Sequence, residues 1–120
     1  MKLKVILAIF LLPTLMYGQQ EAANWYFGVG AGLSFTSGEA VPLTNGVLNT
    51  IEGSASISDR NGNLLFYTDG STVYNRNHQV MLNGSDLKGN VSSTQSAIIV
   101  PKPANPGFYY IFTVDKPDYF

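Results

Sequence analysis

The 120 residues carry 7 basic and 8 acidic side chains, a single histidine and no cysteine. Near-neutral charge without a basic stripe excludes a nucleic-acid footprint and attraction to anionic membranes. The absence of cysteine excludes a disulfide framework, a thiolate metal cluster and a lipid anchor on a cysteine, so strand pairing and core packing must hold the chain.

Met1-Lys2-Leu3-Lys4 is a short basic start, and Val5 to Leu12 is an uninterrupted apolar run followed by Pro13 and by Gly18, Gln19 and Gln20. That order is a secretory signal peptide over residues 1–20, with cleavage expected between Gly18 and Gln20. An uncleaved membrane anchor is the alternative, but a spanning helix needs about 20 apolar residues. No second hydrophobic stretch is present, so no membrane span is expected after signal removal. Losing Lys2 and Lys4 leaves five basic residues against eight acidic ones.

Beyond residue 20 no helical periodicity is sustained, and strand signals take over. Trp25-Tyr26-Phe27-Gly28 and Leu33-Ser34-Phe35 flank a glycine-rich stretch, and Val41-Pro42-Leu43 precedes the turn Asn45-Gly46. Ser54 to Ser58 and Leu64 to Thr68 flank Asn61-Gly62, the preferred pair for a type I′ hairpin turn. Asp69-Gly70 repeats the device before Ser71 to Tyr74. Asn75 to His78 is polar, and Gln79-Val80-Met81-Leu82 reads as a fourth short strand. A complete four-stranded blade is therefore expected over residues 54–82.

A long polar loop runs from there to about Gln95, and then the pattern restarts. Ser96-Ala97-Ile98-Ile99-Val100 echoes Ser54 to Ser58, and Tyr109 to Asp115 echoes Leu64 to Asp69. Ser96 lies 42 positions after Ser54, and Asp115 lies 46 after Asp69. A period of about 40–50 residues with several strands per period is that of a β-propeller blade. Leu64 to Tyr67 and Tyr109 to Phe112 are apolar at consecutive positions, which predicts strands buried on both faces. The expected fold is all-β: a β-propeller-like repeat of about one and a half four-stranded blades, the second from residue 96, belonging to a longer chain. A broken-off repeat would leave one apolar blade face uncovered.

In order along the chain stand Asn24-Trp25-Tyr26-Phe27-Gly28, Gly30-Ala31-Gly32-Leu33, Leu43-Thr44-Asn45-Gly46, Glu52-Gly53 and Ile57-Ser58-Asp59. After them come Gly62-Asn63-Leu64-Leu65-Phe66-Tyr67-Thr68-Asp69-Gly70, Val73 to His78 and Ser92 to Pro101. This series, covering residues 24–115, resembles the N-terminal region of large secreted proteins of Bacteroidetes. Such proteins carry PKD or Ig-like repeats and a gliding-motility-associated C-terminal sorting domain of the type IX secretion system (type B). Ser34 stands where an acidic or amide residue is expected, and Ser54 where cysteine is frequent. The resemblance implies delivery outside the cell or to its surface, through a sorting domain that these residues do not contain. It implies no agreed activity.

Candidate sites divide on chemistry. Gly28-x-Gly30-x-Gly32 lacks the spacing and following helix of a dinucleotide loop. Asp59 opens a stretch resembling a calcium loop, but Gly70 stands where the bidentate glutamate belongs, so Asp59 is expected to organise the turn. His78 has no cysteine or second histidine to share a transition metal and is read as a turn residue. Asp69 and Asp115 close equivalent strands, and no serine sits in a nucleophile elbow. No catalytic residue, metal site or cofactor is expected. Trp25, Tyr26 and Phe27 suit a sugar-stacking platform or, more simply, a buried aromatic strand. The loop over residues 83–95 is the candidate binding element, through Asp86, Lys88 and Asn90. The reading is a non-catalytic, exported surface module that binds a glycan or protein. A glycan hydrolase on a propeller scaffold and a purely structural surface module are the alternatives.

Overall fold

A computed structural model describes residues 19–116, so the apolar leader to Gly18 and the last four residues lie outside the described part. Eight strands and no helix form among the described residues: β1 (Asn24–Phe27), β2 (Ala31–Ser34), β3 (Val41–Leu43), β4 (Ala55–Ser58), β5 (Leu64–Thr68), β6 (Val73–Asn75), β7 (Ala97–Pro101) and β8 (Tyr109–Thr113). They make three small antiparallel sheets in the orders β1-β2-β3, β4-β5-β6 and β7-β8. The fold is all-β.

In β1, burial alternates with the pleat: Asn24 and Tyr26 face inward, Trp25 and Phe27 outward. Pro42 sits in edge strand β3 opposite Leu33, on the only kind of strand that tolerates the missing N–H. Gly46 lets the chain cross Tyr26, because a Cβ there would stand 2.8 Å from the ring.

Two cores hold the sheets together. Tyr26, Leu48 and Tyr67 form the first, with the two tyrosine rings stacked at 4.5 Å between centroids. Ile57, Phe66 and Val73 form the second, against Ile99, Tyr109 and Ile111. Tyr67 and Phe66 are adjacent on β5 and face opposite ways, so the central sheet is packed on both sides. Burying each large apolar side chain contributes about 1.5–3 kcal/mol. Serine hydroxyls of the central sheet also close the open edge of β1: Ser54 Oγ donates to the Tyr26 carbonyl at 3.0 Å, and the Tyr26 N–H donates to Ser56 Oγ at 2.9 Å.

Several expectations are corrected. The central sheet has three strands, and residues 79–82 contribute a single bridge, Tyr74↔Val80. The Gly84 N–H donates to the Met81 carbonyl, which turns the chain before a fourth strand can form and leaves Leu82 exposed. No arrangement of four-stranded blades is present among these residues. The Asn61-Gly62 connection is a five-residue loop between Ser58 and Leu64, with positive φ at Gly62 alone, so it is not a type I′ turn. Its geometry comes from Asp59, whose carboxylate accepts from the N–H groups of Asn61 and Asn63.

The two hairpins differ in register. Offsets of 42 and 46 would pair Ile99 with Phe112, but Ile99 pairs with Ile111 and Phe112 with Ile98. The difference is one residue, which is the shift that the bulge between Ile57 and Ser58 introduces into the first hairpin. β5 is largely buried, as its apolar run predicts, whereas β8 alternates and leaves Tyr110 and Phe112 in solvent.

Candidate functional site

The loop over residues 83–95 is stitched to its surroundings. Leu87 and Gly89 donate to the Ser71 and Gly70 carbonyls, and the Val91 carbonyl accepts from Ile51 and Glu52. Gly89 passes so close to Gly70 that a Cβ on it would stand 2.4 Å from the Gly70 carbonyl oxygen. Asp86 and Lys88 point to solvent, Asp86 with φ of 62°. Asn90 is half-buried, its Oδ1 accepting from the N–H and hydroxyl of Ser92. The structure therefore does not gather the three into one site: two are free surface groups and the third fastens the loop.

The aromatic strand separates into two roles. Tyr26 is core, while Trp25 is 50 % exposed on the outer face of the first sheet with Phe27. The indole is fixed in place: its Nε1–H donates to the Ala22 carbonyl at 2.8 Å, and its ring lies 5.0 Å from that of Phe35. Beside it opens a shallow hollow of about 340 Å³ whose lining includes Trp25, Phe27, Ser54 and Ser56. Ser56 Oγ accepts from Tyr26, which leaves its own O–H to donate. A fixed aromatic face next to a hydroxyl donor suits a ligand with an apolar face and polar edges. Period-two alternation over Asn24–Phe27 was the available signal, since it places Trp25 and Phe27 opposite Tyr26. The part of Phe35 is not visible in strand pattern.

His78 occupies a turn, as expected, and is also the centre of a polar junction. Asn45 Nδ2 donates to His78 Nε2 at 2.8 Å, and Tyr26 Oη donates to Asn45 Oδ1 at 3.1 Å. With Nε2 accepting, the ring proton lies on Nδ1, which donates to Tyr67 Oη at 2.8 Å. The histidine backbone is left-handed, with φ of 61°, and the Asn75 side chain braces the turn by accepting from Asn77 and Gln79. This junction ties the loop after β3 to the turn after β6. Burial pushes the phenols of Tyr26 and Tyr67 above their ordinary range, against the opposing effect of Asn45 on Tyr26 and of the Val47 N–H on Tyr67.

The carboxylates do not converge. Asp69 is buried and accepts from the N–H groups of Ser71 and Thr72, shaping the turn between β5 and β6. Asp59 is held below the usual carboxylate range first by the Asn63 side chain, then by the Asn63 backbone N–H. Asp115 accepts from the adjacent Lys116 N–H, and Asp118 lies outside the described residues. No group of three or more histidine, cysteine or acidic residues is placed to share a metal among the described residues.

No family model matches the chain, and neither a curated protein nor a solved structure matches it.

Proposed function

We propose that the chain is a non-catalytic binding module of a large exported cell-surface protein, and that it takes a glycan on the outer face of its first sheet. The observation that carries this is the half-exposed Trp25 indole, fixed by Ala22 and Phe35 beside the Ser56 hydroxyl. A pyranose presents one apolar face to an aromatic ring and hydroxyls at its rim, which is the chemistry this hollow offers. Asp86 and Lys88 are a second, purely polar contact surface. Export and type IX delivery rest on the leader sequence and on the resemblance over residues 24–115. A propeller-like repeat in a longer chain draws support from the similar spacing of the two antiparallel hairpins, whose registers differ by the one-residue shift of the bulge.

Trp25 is the only tryptophan, so intrinsic fluorescence reads the site directly. Affinity electrophoresis against laminarin, xyloglucan and mannan is the test, with fluorescence titration of any polysaccharide that retards the chain. At least one is expected to do so, and Trp25→Ala is expected to weaken binding about tenfold or more, or about 1.4 kcal/mol. Retardation by none of them, or retardation unchanged in Trp25→Ala, overturns the reading.

A further inference from the structure

We infer that Asn45 is a self-modification site, whose side-chain amide closes on the Gly46 nitrogen and is converted to a carboxylate. The chain contains three Asn-Gly pairs, Asn45-Gly46, Asn61-Gly62 and Asn83-Gly84. In each, the glycine has no side chain to shield its nitrogen from the preceding amide. Sequence alone ranks the three equally, and the fold separates them.

The attacking nitrogen must give up its proton, so a hydrogen bond through that proton opposes the reaction. The Gly62 N–H donates to the Asp59 carbonyl at 3.0 Å and the Gly84 N–H to the Met81 carbonyl at 2.8 Å, and both glycines are buried. The Gly46 N–H has no acceptor among the described residues, and Gly46 is only half-buried. The second difference lies at the carbonyl. Tyr26 Oη donates to Asn45 Oδ1 at 3.1 Å, the oxygen that becomes negative when Cγ is attacked. Burial holds the Tyr26 phenol above its ordinary range, so this donor persists in mildly alkaline solution. The side chains of Asn61 and Asn83 receive no such bond among the described residues.

The step balances within the chain and water. The N–Cγ bond forms as the Gly46 nitrogen loses its proton, the Cγ–Nδ2 bond breaks, and Nδ2 takes up a proton and leaves as ammonia. Water then opens the resulting succinimide at either carbonyl, giving aspartate or isoaspartate. Either product replaces the Nδ2 donor to His78 with a carboxylate. Isoaspartate also lengthens the main chain where Gly46 passes so close to Tyr26 that an added Cβ would stand 2.8 Å from the ring. The modification therefore undoes the junction between the loop after β3 and the turn after β6.

The test is incubation of the folded chain at about pH 9, below the ordinary phenol value, followed by digestion and mass spectrometry that separates aspartate from isoaspartate. Asn45 is expected to convert at least about fivefold faster than Asn61 or Asn83, the rate equivalent of one net hydrogen bond. In urea the three are expected to convert at closely similar rates. Tyr26→Phe keeps the packed ring and removes the donor, and is expected to slow Asn45 at least about fivefold once circular dichroism shows it folded. Asn45 left intact, or Asn61 or Asn83 converting as fast in the folded chain, overturns the proposal. So does an Asn45 advantage that persists in urea, or a rate unchanged in folded Tyr26→Phe.

Discussion

Single residues here act mostly through the hydrogen bonds they make with backbone. Asp59, Asp69 and Asn75 each accept from two N–H groups of their own turn, so their carboxylate or amide is consumed by structure. Ser54 and Ser56 serve the edge of β1 in the same way. The two core tyrosines are different, because their state can be read by titration. A phenol whose pKa is raised on folding holds its proton more tightly in the native state. The stabilisation is therefore complete below the ordinary value of 10.0 and is lost as pH rises through and above it. Stability is expected to fall between about pH 10 and pH 12, with Tyr67→Phe flattening the decline. Urea unfolding across that range, with tyrosinate absorbance alongside, checks it. A stability unchanged up to pH 12 would contradict the packing assigned to Tyr26 and Tyr67.

Elements are legible in the sequence wherever local pattern decides them. The alternating Asn24–Phe27, the apolar Leu64–Thr68 and the runs at Ala97–Pro101 and Tyr109–Thr113 are strands because β-branched and aromatic residues stand between strong turn residues. Turn geometry is not legible in the same way, nor is any segment whose course a turn decides. Asn61-Gly62 has the composition of a two-residue turn, but Asp59 captures two N–H groups and opens the loop to five residues. Residues 79–82 have the composition of a strand, but the Met81–Gly84 turn competes with pairing, and composition does not rank the two. The loop over residues 83–95 shows a related ambiguity, since much of its polarity is spent on hydrogen bonds to neighbouring backbone. Replacing the exposed Lys88 by alanine is expected to change stability by less than about 0.5 kcal/mol. Asn90→Ala is expected to lose about 1 kcal/mol, since the Ser92 N–H loses its acceptor. Chemical denaturation of the two variants checks this. Equal effects would mean that Asn90 does not fasten the loop.

At the scale of the whole molecule, three sheets share two small cores, and the central sheet belongs to both. Stability must then be unequal along the chain. The strands β4 and β5 are covered by Tyr26 and Leu48 on one side and by Ile99, Tyr109 and Ile111 on the other. The β7–β8 hairpin is covered on one face only, and no strand pairs with the outer edge of β8 among the described residues. Opening the hairpin exposes only one core, whereas opening the central sheet dissolves both. Native-state hydrogen exchange is therefore expected to place the cross-strand amides of β8, such as Phe112, at a lower opening free energy than those of β5. Phe66→Ala should narrow the hairpin's protection further, because the edge-on contact between Phe66 and Tyr109, 5.4 Å between centroids, is part of its attachment. The loss expected for the central sheet is about 3–5 kcal/mol, that of a large aromatic removed from a core. Equal opening free energies for β5 and β8 in the unmodified chain would show instead that the three sheets unfold as one unit, and that the exposed face of β8 carries no penalty in stability.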